Sequence, residues 1–212
     1  NCPKKGALSS LLNFIENNKF TLEKDALLSY RLDRPLYLES KKQNNGSMML
    51  KGVDSALGFS LFSNNKQFSN YRICGLKVAP YGGLFFHKDL INTVGLPDET
   101  YFLYGDDFDF SIRISKNKGK ISFVENSVIE DIEKSFHLRK KGFLQTRFHQ
   151  TSNVQLITYS VKNGIVFELN HQVKSLFKYF INLFIYTLFV VFLLMISWNF
   201  KKVNYFLKGV YS

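Results

Sequence analysis

The chain has 212 residues, 45% of them apolar and 16% aromatic, with a formal net charge of +11. That length holds one domain with a substantial core plus an appendage, and that apolar content excludes disorder over most of it. The basic balance suits an anionic membrane surface or a phosphorylated substrate. It argues against nucleic acid, because the lysines are scattered and no zinc-finger or basic-heptad pattern occurs.

From the N-terminus, Leu8, Leu11, Leu12 and Ile15 fall at helical spacing, with Pro3 and Gly6 before them and Asn17-Asn18 as the stop. Residues 26–32 and 35–39 read as short extended pieces, the second by the alternation of Leu36 and Leu38 with Tyr37 and Glu39. Residues 41–47 and 64–70 are polar loops, and the apolar stretch between them is weakly patterned. Residues 75–86 are strand-like but broken by Pro80 and by Gly82-Gly83. Residues 87–94 fit a short helix closed by Gly95, with Pro97 following. Residues 120–124 form a strand candidate after the turn at Gly119, and residues 138–162 read as helical, ending at Asn163-Gly164. The two cysteines, Cys2 and Cys74, are too few for a disulfide framework or a four-ligand zinc site and read as plain thiols.

The last part differs in kind. Residues 179–200 carry no charge, and a bilayer core of ~30 Å needs about 20 apolar helical residues. Tyr179 and Trp198 stand where interfacial aromatics belong, and Lys174, Lys178, Lys201 and Lys202 flank the run. A transmembrane helix is therefore expected, preceded by a juxtamembrane linker over 164–178 and followed by a basic tail over 201–212. Lysines on both flanks leave its orientation undecided, and an in-plane helix is the lesser alternative because the run lacks a strong polar face.

The densest chemical signal begins at Gly82-Gly83, where missing side chains let a backbone pass close to a neighbour. Some 20 residues later come Gly105-Asp106-Asp107. Adjacent carboxylates repel when both ionise, which raises one pKa and suits a general base. The plainer reading is that Asp106 caps a helix and Asp107 adds favourable charge to its first turn. Phe108, Phe110, Ile112 and Ile114 alternate as in a strand. Read instead as a helix, the segment puts Asp107, Phe110, Ser111 and Ile114 on one face.

The succession Ala79-Pro80-Tyr81-Gly82-Gly83-Leu84-Phe85-Phe86, Gly95-Leu96-Pro97-Asp98-Glu99 and Tyr101-Phe102-Leu103-Tyr104-Gly105-Asp106-Asp107-Phe108-Asp109-Phe110-Ser111-Ile112-Arg113 resembles the second half of family 2 glycosyltransferases, especially their rhamnosyl- and galactofuranosyl-transferase-like branch. The resemblance covers roughly residues 1–163. It implies an α/β fold, the acceptor-side part of a GT-A domain, with Asp106-Asp107 opening a helix. It further implies that Asp107 is the general base of an inverting sugar transfer and that Asp106 orients it. Gly82 and Gly83 then lie under the donor, and Asp109 and Tyr104 are further donor- or acceptor-side contacts. The implied partners are a nucleotide-sugar donor, a lipid-linked or cell-surface glycan acceptor and the membrane, with the catalytic domain facing the cytoplasm.

Asn1-Cys2-Pro3 and the Leu8, Leu11, Leu12 pattern are similar to the stretch that follows the family's metal-binding Asp-x-Asp. That motif is therefore expected just before Asn1, and this chain alone is expected to be inactive without it. A divalent cation, Mg or Mn, is implied for the full-length enzyme. Many relatives carry a metal-ligating histidine near the position of Val128-Ile129-Glu130-Asp131. Here either His137 or one of those carboxylates takes the role, or the contact is absent. His149 and Asn153 are read as packing residues before acceptor contacts. The competing reading is a membrane-tethered module that binds a glycan or a partner without catalysis.

Overall fold

The computed structural model describes residues 2–31, 53–62, 74–76 (backbone only), 78–130, 132 and 145–212. The segments at 35–39, 41–47 and 64–70, and His137, lie outside the described residues. The chain divides into two compact units. One comprises Asn1–Leu50, Ser69–Asp98 and Asp106–Ser135; the other comprises Lys51–Phe68, Glu99–Gly105 and Phe136–Ser212. The boundary between these units is thus woven through the chain.

The first unit is a mixed α/β layer structure. Its strands are β1 (Cys2–Pro3), β2 (Ala26–Arg31), β3 (Cys74–Leu76), β4 (Leu84–Phe86) and β5 (Ile121–Glu130); its helices are α1 (Ala7–Asn17), α2 (Leu90–Val94) and α3 (Asp106–Lys116). All six residues of β2 are buried, because it runs between β5, which is parallel to it, and β4, which is antiparallel. The other edge of β5 is shared by β3 near its start and β1 at its end, both antiparallel.

Period-two alternation sorts β2 between the two faces of the sheet. Leu27 joins Leu11 and Val124, with Phe14 and Ile15 of α1 packed alongside. Ala26, Leu28 and Tyr30 join Leu90, Val94, Phe110, Ile114 and Ile121 in the larger core beneath α2 and α3. The start and end of α1 match the sequence reading, but its buried face does not. Ala7 and Leu11 are buried, whereas Leu8 and Leu12 are exposed. Two overlapping apolar stripes exist on that helix, and docking on the sheet selects the one shared with Phe14.

β5 is twice as long as the expected strand. Ser29 faces Val124 while Tyr30 faces Val128, so residues 125–127 bulge out of register. The buried Ser29 and Ser127 hydroxyls pair across the bulge at 2.8 Å, which satisfies two polar groups that an apolar strand pattern does not anticipate.

The second unit is helical: α4 (Gln155–His171), α5 (Leu176–Ile196) and α6 (Phe200–Tyr211). Residues 145–154, read from sequence as helical, are turns, and Asn163-Gly164 does not end a helix. The buried Asn163 sits mid-helix because its amide donates to the carbonyls of Leu103 and Tyr104, at 2.7 and 2.9 Å. The supposed linker is therefore helical through His171 and again from Leu176, and the supposed basic tail is α6. Between α5 and α6 the chain reverses at Trp198, whose φ is +55°. α6 returns to bury Phe206 with Phe148, Ile157, Val161, Tyr179 and Leu194. The Thr158 hydroxyl donates to the Tyr205 carbonyl at 2.8 Å.

Candidate functional site

The residues at 106–116 form a helix, so the alternating Phe108, Phe110, Ile112, Ile114 pattern does not make a strand. The face carrying Asp107, Phe110, Ser111 and Ile114 explains why. Phe110 and Ile114 are buried against β2, and Ser111, fully buried, accepts the backbone N–H of Ala79 through its hydroxyl at 2.8 Å. Once Phe110 and Ile114 anchor the helix, geometry one turn earlier fixes Asp107 on the same side. The Ser111 bond pins residues 79–81 against α3. The Tyr81 backbone, directly before Gly82-Gly83, is thereby held close enough to the Asp107 carboxylate to stabilise its charge.

Asp107 is half-buried. Burial pushes its carboxyl up to about 6, with the neighbouring Asp106 charge adding to the rise. The backbone N–H dipoles of Phe108, of Asp107 itself and of Tyr81 pull the other way; Phe108 donates a hydrogen bond at 2.9 Å. The N-terminus of α3 also favours an anion, but desolvation outweighs these attractions. The result is a carboxylate ionised at neutral pH yet basic enough to take a proton.

Tyr81 was not singled out from sequence. Its hydroxyl donates to the Asp106 carbonyl at 3.3 Å, and its ring lies 6.0 Å from that of Phe110. Burial first, then the charges of Asp106 and Asp107, push its phenol up to about 12, so it remains a proton donor at any physiological pH. Its place immediately before the double glycine was the available signal.

Gly82 is half-buried beside Tyr81. Gly83 has φ +90°, its carbonyl accepts the Ser29 N–H at 2.9 Å, and a Cβ there would stand 2.6 Å from Ile129 Cδ1. The glycine requirement at 83 thus comes from close packing on the sheet.

Asp109 does not turn toward Asp107. Only 6% exposed, it pairs with Arg113, Oδ2 to Nε, at 3.1 Å. Arg113 also donates to the carbonyls of Val94 and Leu96, so it clamps the turn at Gly95 and Leu96 onto α3. The motif's spacing from Gly95 to Arg113 thereby has a structural reason. Tyr104, with φ +68°, belongs to the helical unit, where its carbonyl takes the Asn163 amide; burial raises its phenol. Glu130, one of the carboxylates considered for a metal, is paired with Lys4 at 2.6 Å. His149 is a packing residue: Thr146 binds its Nδ1, and its Nε2 lies 3.2 Å from the Ser197 hydroxyl.

Among the described residues no three His, Cys, Asp or Glu side chains gather to hold a metal ion. The chain matches no model of a known protein family, no curated protein and no solved structure.

Proposed function

We propose that this chain carries the acceptor-side machinery of an inverting, nucleotide-sugar-dependent glycosyltransferase of GT-A type that works at a membrane surface. The observation that carries the reading is the Asp107 carboxylate. It is held at the start of α3 beside the backbone that leads into Gly82-Gly83, with its affinity for a proton raised to about 6.

In the proposed reaction an acceptor hydroxyl donates its proton to Asp107 as its oxygen attacks the anomeric carbon of the donor sugar. The bond to the nucleoside diphosphate breaks on the opposite face, and the configuration inverts. Asp106 raises the basicity of Asp107, and the Tyr81 hydroxyl fixes the first turn of α3. Asp109 acts as a structural partner of Arg113. Among the described residues no cluster of His, Cys, Asp or Glu gathers to hold the divalent cation that the resemblance implies, and the proton transfer rests on the Asp107 carboxylate. The long apolar α5 supports membrane association, and a cytoplasmic active site belongs to the same proposal.

The test is Asp107→Asn in the complete gene product, assayed in membranes with a panel of radiolabelled nucleotide sugars. A positioned base contributes about 10²–10⁴ in rate, so loss on that scale is expected. Transfer within a few fold of the unaltered protein removes Asp107 from the role.

A further inference from the structure

α5 is long and apolar enough to cross a bilayer, yet its surroundings within the helical unit oppose a crossing. Its buried face carries the polar groups. Tyr179 donates its hydroxyl to the buried Glu168 at 3.1 Å. Asn182 donates to the Asp54 carbonyl at 2.7 Å and accepts the Leu61 N–H at 2.9 Å. Asp54 Oδ1 in turn accepts the N–H groups of Lys174 and Ser175 just before the helix. At the other end, Ser197 meets His149, whose carbonyl accepts the Lys202 ammonium at 2.6 Å.

The opposite face is a continuous apolar stripe: Phe177, Phe180, Phe184, Leu188, Phe192 and Met195 are all about half or more exposed. Their spacing of three and four residues keeps them on one side along roughly 30 Å of helix. The helix is thus more apolar outside than inside, the reverse of a helix facing water.

A crossing would separate the contacts at Asp54 from those at His149 by the full bilayer. It would also carry α4, with Gln155, Lys162, Asn163 and Glu168, into hydrocarbon, where such groups are costly. Charge points the same way. Lys174 before the stripe, Lys178 at its start, and Lys201 and Lys208 after it are all exposed. Basic residues at both ends conflict with translocation of either end but suit a helix whose two ends stay on the same anionic face. Trp198, 82% exposed at the turn, is placed as an interfacial anchor.

We infer that α5 docks the helical unit on an anionic lipid surface by lying in the plane of one leaflet. The Phe177-to-Met195 stripe enters the acyl region, and the lysines at both ends meet headgroups. This inference goes beyond the transferase reading and does not depend on Asp107.

Two measurements on the full chain test it. In vesicle flotation, phosphatidylcholine vesicles containing phosphatidylglycerol should bind the protein in a salt-sensitive manner. Brominated acyl chains should quench Trp198, the only tryptophan. The Phe180→Ser/Phe184→Ser/Phe192→Ser variant, checked for retained helicity by circular dichroism, should partition at least about a hundredfold less, since each buried ring contributes roughly tenfold. Absence of flotation by the unaltered chain, with concentration-dependent self-association in its place, assigns the stripe to a second copy and overturns the inference.

In cells, Lys174→Cys and Asn204→Cys, each in a Cys2→Ser/Cys74→Ser background, are labelled with an impermeant maleimide. Both should react from the cytoplasmic side only. Labelling from opposite sides shows a crossing helix and overturns the inference as well.

Discussion

Replacing Asp107 with Asn should stabilise the first unit while abolishing transfer, and the gain should depend on pH in a defined direction. The folded protein holds the Asp107 proton up to about 6, against a reference value of 3.8. Between those values the native state binds more protons than the unfolded chain, so stability falls as pH rises through that window. Below it both states are protonated and the residue is neutral to stability. Above it the full penalty applies. The shift corresponds to about 3 kcal/mol, and because the half-buried carboxylate keeps some water, about 2 kcal/mol is the working expectation.

Asn can still accept the Phe108 N–H, but its amide NH2 brings new donors into a half-buried site, a mismatch of about 1 kcal/mol. That cost is the same at every pH and cancels in a comparison across pH. The assay is urea unfolding at pH 4 and pH 8, read by hydrogen–deuterium exchange of peptides covering 106–116 so that the signal belongs to this unit. The Asn variant should gain about 2 kcal/mol on the parent between the two pH values. A difference independent of pH, or one of opposite sign, refutes the claim that desolvation dominates at Asp107.

Transfer activity should fall on the acid side with an apparent pKa near 6. Asp106→Asn, by removing the neighbouring like charge, should move that limb to lower pH, as a pH–rate profile will show. Gly83→Ala should cost about 2–4 kcal/mol, because a side chain there is strained at φ +90° and its Cβ meets Ile129 Cδ1; a double-mutant cycle with Ile129→Val should recover part of the loss. Arg113→Ala should cost about 3–5 kcal/mol by stripping the buried Asp109 of its cation. Denaturation of Arg113→Ala/Asp109→Asn should show partial recovery, and additive losses would contradict the clamp.

Local pattern determined a good deal by itself. The extent of α1, the strand from Ala26, the short helix closed by Gly95 and the long apolar helix all follow from periodicity, turn residues and composition, which act over a few residues. The helical face shared by Asp107, Phe110, Ser111 and Ile114 was also legible, and the placement of the candidate base follows from it. Choices between equally good local patterns were left to the tertiary structure. The sheet selected Ala7 and Leu11 over Leu8 and Leu12. The carbonyls of Leu103 and Tyr104 kept Asn163 inside a helix that its local chemistry would have ended. The carbonyls of Val94 and Leu96 claimed Arg113, and the partners of Tyr179 and Asn182 turned the polar side of α5 inward. Each outcome depends on groups far apart in the chain, and the free energy that decides them exists only once the fold has brought those groups together.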